Sequence, residues 1–489
     1  MKLNELLNNV RVKQVTGNAE EKEITNISID SRNVNENSLF FAIEGFKTDG
    51  HKFIQDALNK GVRAVVLQNP AALPDQIFEH YSAVKIVVED SRKALAEFSD
   101  RFFGSPSKKI KLVGVTGTKG KTTTAFFLKS LFEYTGHKAG LIGTIANYIG
   151  DEELKTMLTT PQSHEINFLL DRMVKAGCRY CSMEVSSHAL DLHRADYLDF
   201  DYAIFTNITS DHMDYHLTFD NYLKAKKILF DMLTENAAAV INADDPNANE
   251  IVRGTKAKVV KYGASEKADF RIKEITYSLE GTDFVVVYKN KEYKLHTKLI
   301  GHFNAYNATA AFAVGLLESI DAEEVIRAIK NSPQVPGRFE VVSGGEKKII
   351  IDYAHTADSL MQALKAVRNI VGYTRPVYTV FGCGGDRDRS KRPIMGRIAS
   401  EMSDKVFVTS DNPRTENPSA IIDEILQGIK KDNYTVIENR EEAIKKAIQM
   451  SEEDAVILIA GKGHENYQEI NGVRTHFSDK ETAVKYLNL

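Results

Sequence analysis

The sequence predicts an α/β protein built from three domains, and three observations carry that reading. Its 489 residues make three domains at roughly 150 residues each. Short apolar runs alternate with helical stretches along most of the chain, as when helices cover sheets. A glycine-rich loop beginning at Gly117 stands between an apolar strand and an amphipathic helix, the opening of a phosphate-binding domain.

The first hundred residues alternate strands at Ala64–Leu67 and Lys85–Val88 with helical stretches at Phe53–Lys60 and Arg92–Phe103, a small α/β unit. Polar Gly104–Lys109 reads as a linker. Strands follow at Ile110–Val115, Tyr180–Val185, Tyr202–Thr206 and Ala238–Asn242. Between Asp269 and Ile300 the pattern changes to alternating residues with turn signals at Glu280-Gly281 and Asn290-Lys291, which predicts antiparallel hairpins before a helix over Ala305–Leu317. Ser332–Gly337 carries two prolines and reads as a second linker, so the domains run over 1–105, 106–335 and 336–489. The last domain repeats strand then helix: strands at Lys348–Asp352, Val377–Phe381, Lys405–Thr409 and Ala455–Ala460, helices at Ser359–Asn369, Pro393–Met402, Ala420–Lys430 and Glu441–Met450. That rhythm predicts a doubly wound, Rossmann-like parallel sheet, with ligands outside the carboxyl ends of its strands.

Composition excludes several classes. A formal charge of −4, with 43% hydrophobic and 27% charged residues, is ordinary for a globular enzyme and argues against a disordered chain or a general nucleic-acid binder. No apolar run reaches the roughly 18 residues of a membrane span, and the first ten residues lack a basic segment leading into a long apolar core, so neither membrane insertion nor a signal peptide is expected. Three cysteines cannot build a disulfide framework in a chain this long, which suggests a reducing cytoplasm. Cys178 and Cys181 have half of a zinc spacing without a second pair, and read as small residues in or beside a buried strand.

The loop itself is Thr116-Gly-Thr-Lys-Gly-Lys-Thr-Thr-Thr124. Its backbone N–H groups, from Gly117, Thr118, Lys119 and Gly120 into the helix, would face phosphate oxygens. Lys121 would neutralise the β- and γ-phosphates of ATP, and the Thr122 hydroxyl beside Thr123 would sit on Mg²⁺. Position 115 is Val, so the usual longer spacing is not met; what stands is a short G-T-x-G-K-T-T form. Further on, one strand runs into Met183-Glu-Val-Ser-Ser-His-Ala-Leu190 and another into Phe205-Thr-Asn-Ile-Thr-Ser-Asp-His-Met-Asp-Tyr-His216. A carboxylate and an imidazole at neighbouring strand ends could converge on one metal. Mg²⁺ prefers oxygen, so a His ligand leaves Mn²⁺ open as occupant.

The short phosphate loop and these two segments resemble those of the Mur ligases, ATP-dependent amino-acid ligases of peptidoglycan precursor synthesis. The resemblance implies Glu184 and His212 as metal ligands with Thr122, and places Lys226 where the family has a carbamylated lysine. From composition alone Lys226 is one of three lysines on a solvated helix face. The resemblance also implies Asn304 and Asn307 near adenine, Arg338 as a γ-phosphate contact, and Asp352, Tyr353 and His355 facing the nucleotide. Ala357 stands where the family often has Pro. In the N-terminal domain the segments around Ile29, Ser31, Phe46, Lys47 and Thr48 resemble those that cradle uridine diphosphate. Thr159, Thr160, Ser186 and Arg194 match residues that hold the muramoyl-dipeptide and its diphosphate, whereas Leu158 and Leu192 depart from the family's Asn and Gln.

Three loops of the last domain resemble the amino-acid site of the diaminopimelate-adding branch: those carrying Arg387, Asp411-Asn412-Pro413-Arg414, and Gly461 with Glu465. Meso-diaminopimelate differs from lysine by a distal carboxylate, which a guanidinium binds through two parallel hydrogen bonds, whereas the lysine ammonium would be repelled by it. Arg414 is the expected selectivity residue, and Glu465 suits the distal ammonium. The implied reaction joins UDP-N-acetylmuramoyl-L-alanyl-D-glutamate to meso-diaminopimelate through an acyl phosphate, in a cytoplasmic monomer whose domains close over ATP. The alternative within the family is the lysine-adding ligase; folylpolyglutamate synthetase and a P-loop kinase are more distant rivals.

Overall fold

A computed structural model describes residues 1–8, 10–20, 22–46, 48–344 and 347–487. The chain forms two compact units, Met1–Asp269 and Phe270–Leu489.

In the first unit, strands β1 (Gln14–Thr16), β2 (Asn26–Ser28), β3 (Ser38–Ala42), β4 (Ala64–Leu67) and β5 (Val84–Val87) make a sheet in the order β1-β5-β4-β3-β2. Only the β1–β5 pairing is antiparallel. β3 to β5 are buried at every position, so they lack the alternation that marks a half-exposed strand. The helix Ser91–Phe102 begins where the Asp90 carboxylate accepts from the N–H groups of Arg92 and Lys93, and its Phe98 meets Phe41 edge-on at 5.5 Å.

The same unit holds β6 (Lys111–Thr116), β7 (Ala139–Ile142), β8 (Asn147–Ile149), β9 (Glu152–Leu154), β10 (Tyr180–Glu184), β11 (Tyr202–Phe205), β12 (Ala238–Asn242) and β13 (Lys258–Gly263). Their order is β13-β12-β11-β6-β10-β7-β8-β9, parallel except for the short β8 and β9. Register places Glu184 beside Val115 and Phe205 beside Thr116, so three strands end together at the glycine loop. The segment read as a first linker is instead packed: Pro106–Lys109 is a 3₁₀ turn whose buried Ser107 hydroxyl accepts from the Asp199 N–H at 3.1 Å.

The second unit opens with an antiparallel meander, β14 (Phe270–Ser278), β15 (Gly281–Tyr288) and β16 (Lys291–Thr297), as the turn signals predicted. Helices His302–Leu317 and Ala322–Asn331 follow. Strands β17 (Glu340–Gly344), β18 (Lys347–Asp352), β19 (Val377–Phe381), β20 (Lys405–Val408), β21 (Tyr434–Val436) and β22 (Val456–Ala460) form a sheet ordered β17-β18-β22-β19-β20-β21, antiparallel only at β17. A small hairpin, β23 (Tyr467–Ile470) and β24 (Val473–His476), completes it. The proposed second linker is also packed, with Ser332, Val335 and Gly337 buried and the Gly337 N–H donating to Glu340 Oε2 at 2.8 Å. Cys178, Cys181 and Cys383 are all buried free thiols. Among the described residues no helix is long and apolar enough to cross a membrane.

Candidate active site

The glycine loop is shaped by backbone that only glycine adopts easily. Gly117 has φ 151° and Gly120 φ 86°, and a Cβ at Gly117 would overlap the Thr206 hydroxyl at the end of β11. Asn207 anchors the loop, accepting from the Thr118 N–H at 2.9 Å and, through its side chain, from the Lys119 N–H at 3.0 Å. Lys121 Nζ lies back on the Gly117 and Thr118 carbonyls at 2.7 and 3.0 Å. Thr122 and Thr123 begin the following helix, with the Thr122 hydroxyl donating to Glu184 Oε2 at 2.8 Å.

Glu184 is fully buried at the end of β10. Thr144 gives it two further hydrogen bonds, N–H to Oε1 at 2.8 Å and hydroxyl to Oε2 at 3.0 Å. Among the described residues its hydrogen-bond partners are hydroxyls and an amide, none of them a cation. An anion buried this way is stabilised by a divalent ion better than by neutral donors alone.

Lys226 overturns the reading of a solvated lysine face. It is buried, its Nζ donates to the Gly117 carbonyl at 2.9 Å and it sits 4.5 Å from the Tyr222 ring centre. Burial holds its amine well below the ordinary lysine value, and the neighbouring Lys121 cation adds to that. His212 stands in left-handed backbone, φ 55°, at the start of the short helix Met213–His216. Its ring is 4.8 Å from that of His188, and burial pushes both imidazoles down, His188 to about 4. Thr122, Glu184, His212 and Lys226 thus come from four segments around one loop. Among the described residues no group of three His, Cys, Asp or Glu is placed to hold a metal.

A second cluster touches the first. The Thr160 hydroxyl donates to the Glu184 carbonyl at 2.8 Å and accepts from the Ser186 N–H at 3.1 Å, while Arg194 Nη1 donates to the Thr160 carbonyl at 2.9 Å. The Thr144 hydroxyl reaches Thr159 at 3.1 Å. Among the described residues, buried Arg194 Nε has no hydrogen-bond partner, and burial, then the nearby Arg92, lowers the guanidinium's affinity for its proton. Two guanidiniums near each other with an unused donor suit a polyanion. Ile29 and buried Ser31 stand on the loop after β2, Thr48 is exposed, and exposed Phe46 meets Tyr215 edge-on at 5.6 Å. Lys47 lies outside the described residues. Leu158 is exposed and makes no side-chain hydrogen bond in place of the family's Asn.

In the second unit, Asn304 and Asn307 are buried on one helix and bonded to each other, Asn307 Nδ2 to Asn304 Oδ1 at 3.0 Å. Arg338 lies 4.8 Å from the Tyr353 ring, and the Asp352 carboxylate accepts from the Phe339 N–H at 2.8 Å. His355 Nδ1 is 2.8 Å from the Tyr353 carbonyl. Gly337, φ 63°, packs so closely that a Cβ would overlap the backbone of Gly463 and His464, which sets Arg338 beside the Gly461–Glu465 loop. His464 is driven to about 4 by burial and by the Arg338 and Lys462 cations.

The three loops expected to hold an amino acid do meet. Arg414, at φ 52°, donates from Nη1 to the Gly385 carbonyl at 2.6 Å, and its backbone pairs with the edge of β23, its N–H donating to the Glu469 carbonyl at 3.1 Å. Gly384 lies under its guanidinium, where a Cβ would sit 3.0 Å from Nη1. Asp411 and Asn412 are buried, and Gly461, φ 119°, leaves room for the Asp411 carboxylate. Pro413 is buried between them, whereas Arg387 is exposed at the rim. Glu465 Oε2 accepts from Asn412 Nδ2 at 2.8 Å and from Lys462 at 3.1 Å. Sequence reasoning missed Thr144, Arg92 and Lys462: Thr144 and Lys462 bond buried Glu184 and Asn412 far off in sequence, and Arg92 acts on Arg194 across a hundred residues.

A phosphate loop, a buried carboxylate and a lysine amine at one sheet end define an enzyme that handles a nucleotide polyphosphate. The Mur ligase family catalytic domain matches residues 23–103, the Mur ligase middle domain 115–315, and the Mur ligase glutamate ligase domain 337–463. UDP-N-acetylmuramoyl-L-alanyl-D-glutamate--2,6-diaminopimelate ligase 1 of Clostridium acetobutylicum is 44% identical over 100% of this chain and 99% of its own. A solved structure of a UDP-N-acetylmuramoyl-L-alanyl-D-glutamate--2,6-diaminopimelate ligase superposes with a TM-score of 0.72 and 31% identity, covering 100% of this chain and 99% of that one. The Thermotoga maritima MurF ligase in complex with ADP shares the fold, with TM-score 0.64 at 20% identity over 94% and 96% of the chains. The chain belongs to the Mur ligase family, and its three-domain α/β fold is that family's.

Proposed function

We propose that the chain joins meso-diaminopimelate to UDP-N-acetylmuramoyl-L-alanyl-D-glutamate, driven by ATP, in peptidoglycan precursor synthesis. A carboxylate is a poor electrophile, so ATP first phosphorylates the D-glutamyl carboxylate to an acyl phosphate. The amine of diaminopimelate attacks it, and the tetrahedral intermediate expels phosphate, leaving tripeptide, ADP and phosphate. The single observation that supports this substrate best is Arg414, fixed over Gly384 by Gly385 and the β23 edge and opposite Glu465.

In this reading residues 1–105 take the uridine nucleotide, 106–335 ATP and 336–489 the amino acid. Ile29, Ser31, Phe46, Lys47 and Thr48 hold the uridine end; Thr159, Thr160, Ser186 and Arg194 hold the muramoyl-dipeptide and diphosphate. Gly117 to Thr123 wrap the phosphates, where Lys121 and Arg338 offset charge during in-line transfer. Asn304, Asn307, Asp352, Tyr353 and His355 face the rest of the nucleotide. Mg²⁺, with Mn²⁺ open, would be held by Thr122, Glu184, His212 and Lys226 as its carbamate, and would neutralise charge on the transferring phosphoryl group. The depressed proton affinity of Lys226 supports that modification, because a neutral amine is what reacts with carbon dioxide. Arg414 and Arg387 take the distal carboxylate, with Asp411, Asn412, Pro413, Gly461 and Glu465 around the distal ammonium. ATP as co-substrate places the reaction in the cytoplasm.

Phosphate release, followed with diaminopimelate and lysine side by side, tests the reading. Release should require both the nucleotide-sugar dipeptide and diaminopimelate. Replacing Arg414 by Ala should lower kcat/KM for diaminopimelate about 10- to 100-fold, the worth of a charge-assisted bidentate contact, and leave any lysine turnover unchanged. Release without an amine acceptor, or equal use of lysine, would sink it.

A further inference from the structure

Lys462 belongs to no role assigned above, yet its side chain is wholly buried. Its Nζ donates to Asn412 Oδ1 at 3.0 Å and to Glu465 Oε2 at 3.1 Å. Asn412 Oδ1 also accepts the Glu469 N–H at 3.0 Å, which fixes the amide with its oxygen toward two donors and its nitrogen toward Glu465. Asn412 Nδ2 then reaches Glu465 Oε2 at 2.8 Å. One carboxylate oxygen therefore has two donors, while among the described residues Glu465 Oε1 has none. Glu465 is half-buried, and a carboxylate with one oxygen tied down and one free is aimed.

We propose that Lys462 is a positioning residue that sets selectivity at the distal end of the amino acid: it aims Glu465 Oε1 at the ammonium and offsets enough of the Glu465 charge that a distal zwitterion is preferred to a lone ammonium. The proposal rests on reading the Arg414–Glu465 pocket as the diaminopimelate site. For a zwitterion, repulsion between its ammonium and Lys462 is balanced by attraction of its carboxylate to the same charge. For lysine nothing balances it, so the cation acts against the wrong substrate, beside Arg414, which attracts the right one.

Two variants of the full chain separate aim from charge. Lys462→Met removes the donor and the cation; Lys462→Gln keeps a donor and removes the cation. Both are assayed by phosphate release with ATP, the nucleotide-sugar dipeptide, and diaminopimelate or lysine. In Lys462→Met, KM for diaminopimelate should rise about tenfold with kcat within about threefold, and the lysine-to-diaminopimelate ratio of kcat/KM should shift about tenfold toward lysine. Lys462→Gln should show the same shift in ratio with a smaller rise in KM. KM for ATP should not move in either. An unchanged ratio in a folded variant overturns the proposal, and so does failure of both variants to fold, since Lys462 would then serve the fold. Arg414→Ala run in parallel distinguishes the two readings: if it leaves diaminopimelate use intact, the pocket assignment itself is wrong, whereas if it is disabling while the Lys462 ratios stay put, only the role of Lys462 fails.

Discussion

Lys226 and Lys462 are both lysines taken out of water, and their neighbours decide what each can do. Lys226 meets a carbonyl and a second lysine, and burial together with that neighbouring cation holds its amine well below the ordinary lysine value. Lys462 meets a carboxylate and an amide oxygen and remains an ion-pair partner. The same reasoning applies to Thr144, which among the described residues gives the Glu184 carboxylate two of its three hydrogen bonds. Thr144→Val keeps the shape and the backbone N–H but deletes one donor to a buried carboxylate. It should lower stability by about 1–3 kcal/mol, read as a fall in Tm, and raise KM for the nucleotide-sugar dipeptide through the lost contact to Thr159. An unchanged Tm would show that Glu184 finds another donor. Residues of this kind were illegible in the sequence: Thr144 lies in no motif and its partner is forty positions away, whereas Lys121 and Thr122 announce themselves because their spacing alone dictates their contacts.

Glycine backbone and one buried ion pair hold the elements that carry the site. Gly337 and Gly372 have nearly the same φ, 63° and 62°, but only Gly337 is pressed against backbone, that of Gly463 and His464. Gly372 also has ψ −140°, backbone that essentially only glycine adopts, so Gly372→Ala should cost about 1–3 kcal/mol. Gly337→Ala should cost more and should also raise KM for ATP, because it displaces Arg338 from the Gly461–Glu465 loop. Equal effects on Tm and KM in the two variants would contradict this. Arg440 and Asp479 are both fully buried; Arg440 bonds to Asp479 twice at 2.8 Å and to the Ala460 carbonyl at 3.0 Å, at the end of β22. Arg440→Met should destabilise the chain by about 3–5 kcal/mol, and adding Asp479→Leu should restore most of that, measured by denaturant unfolding. The strands and helices around these points were legible where they ran with a clear period, as at Val377–Phe381 and Ala238–Asn242. β1, β2, β7 and β8 were not, being three or four residues long and held by neighbours rather than by their own pattern. The β23–β24 hairpin, which braces Arg414, escaped notice for the same reason.

Over the whole molecule the charge is nearly balanced at −4, so in the proposed reading attraction of the polyanionic nucleotides is local, at Lys121, Arg92, Arg194 and Arg338. Local fields are screened by salt over about 8 Å at physiological ionic strength. Raising salt should therefore increase KM for ATP and for the nucleotide-sugar dipeptide, while KM for diaminopimelate, a substrate of no net charge, should change little. Parallel rises in all three would point to a general effect on the fold. The fold class, the phosphate loop and the meeting of the three last-domain loops were readable because each loop is a contiguous segment at a strand end; what was hidden is the bonding between segments, which exists only once the sheets have formed.

The buried cysteines have a practical consequence. All three thiols are shielded, and burial pushes Cys181 and Cys383 far up, the latter to about 12, so they are poor targets for alkylating dyes under native conditions. Tyr373, 91% exposed at the end of the helix Ala357–Val371, offers a place for one introduced thiol. Tyr373→Cys would let a single fluorophore be attached with the native cysteines left in place.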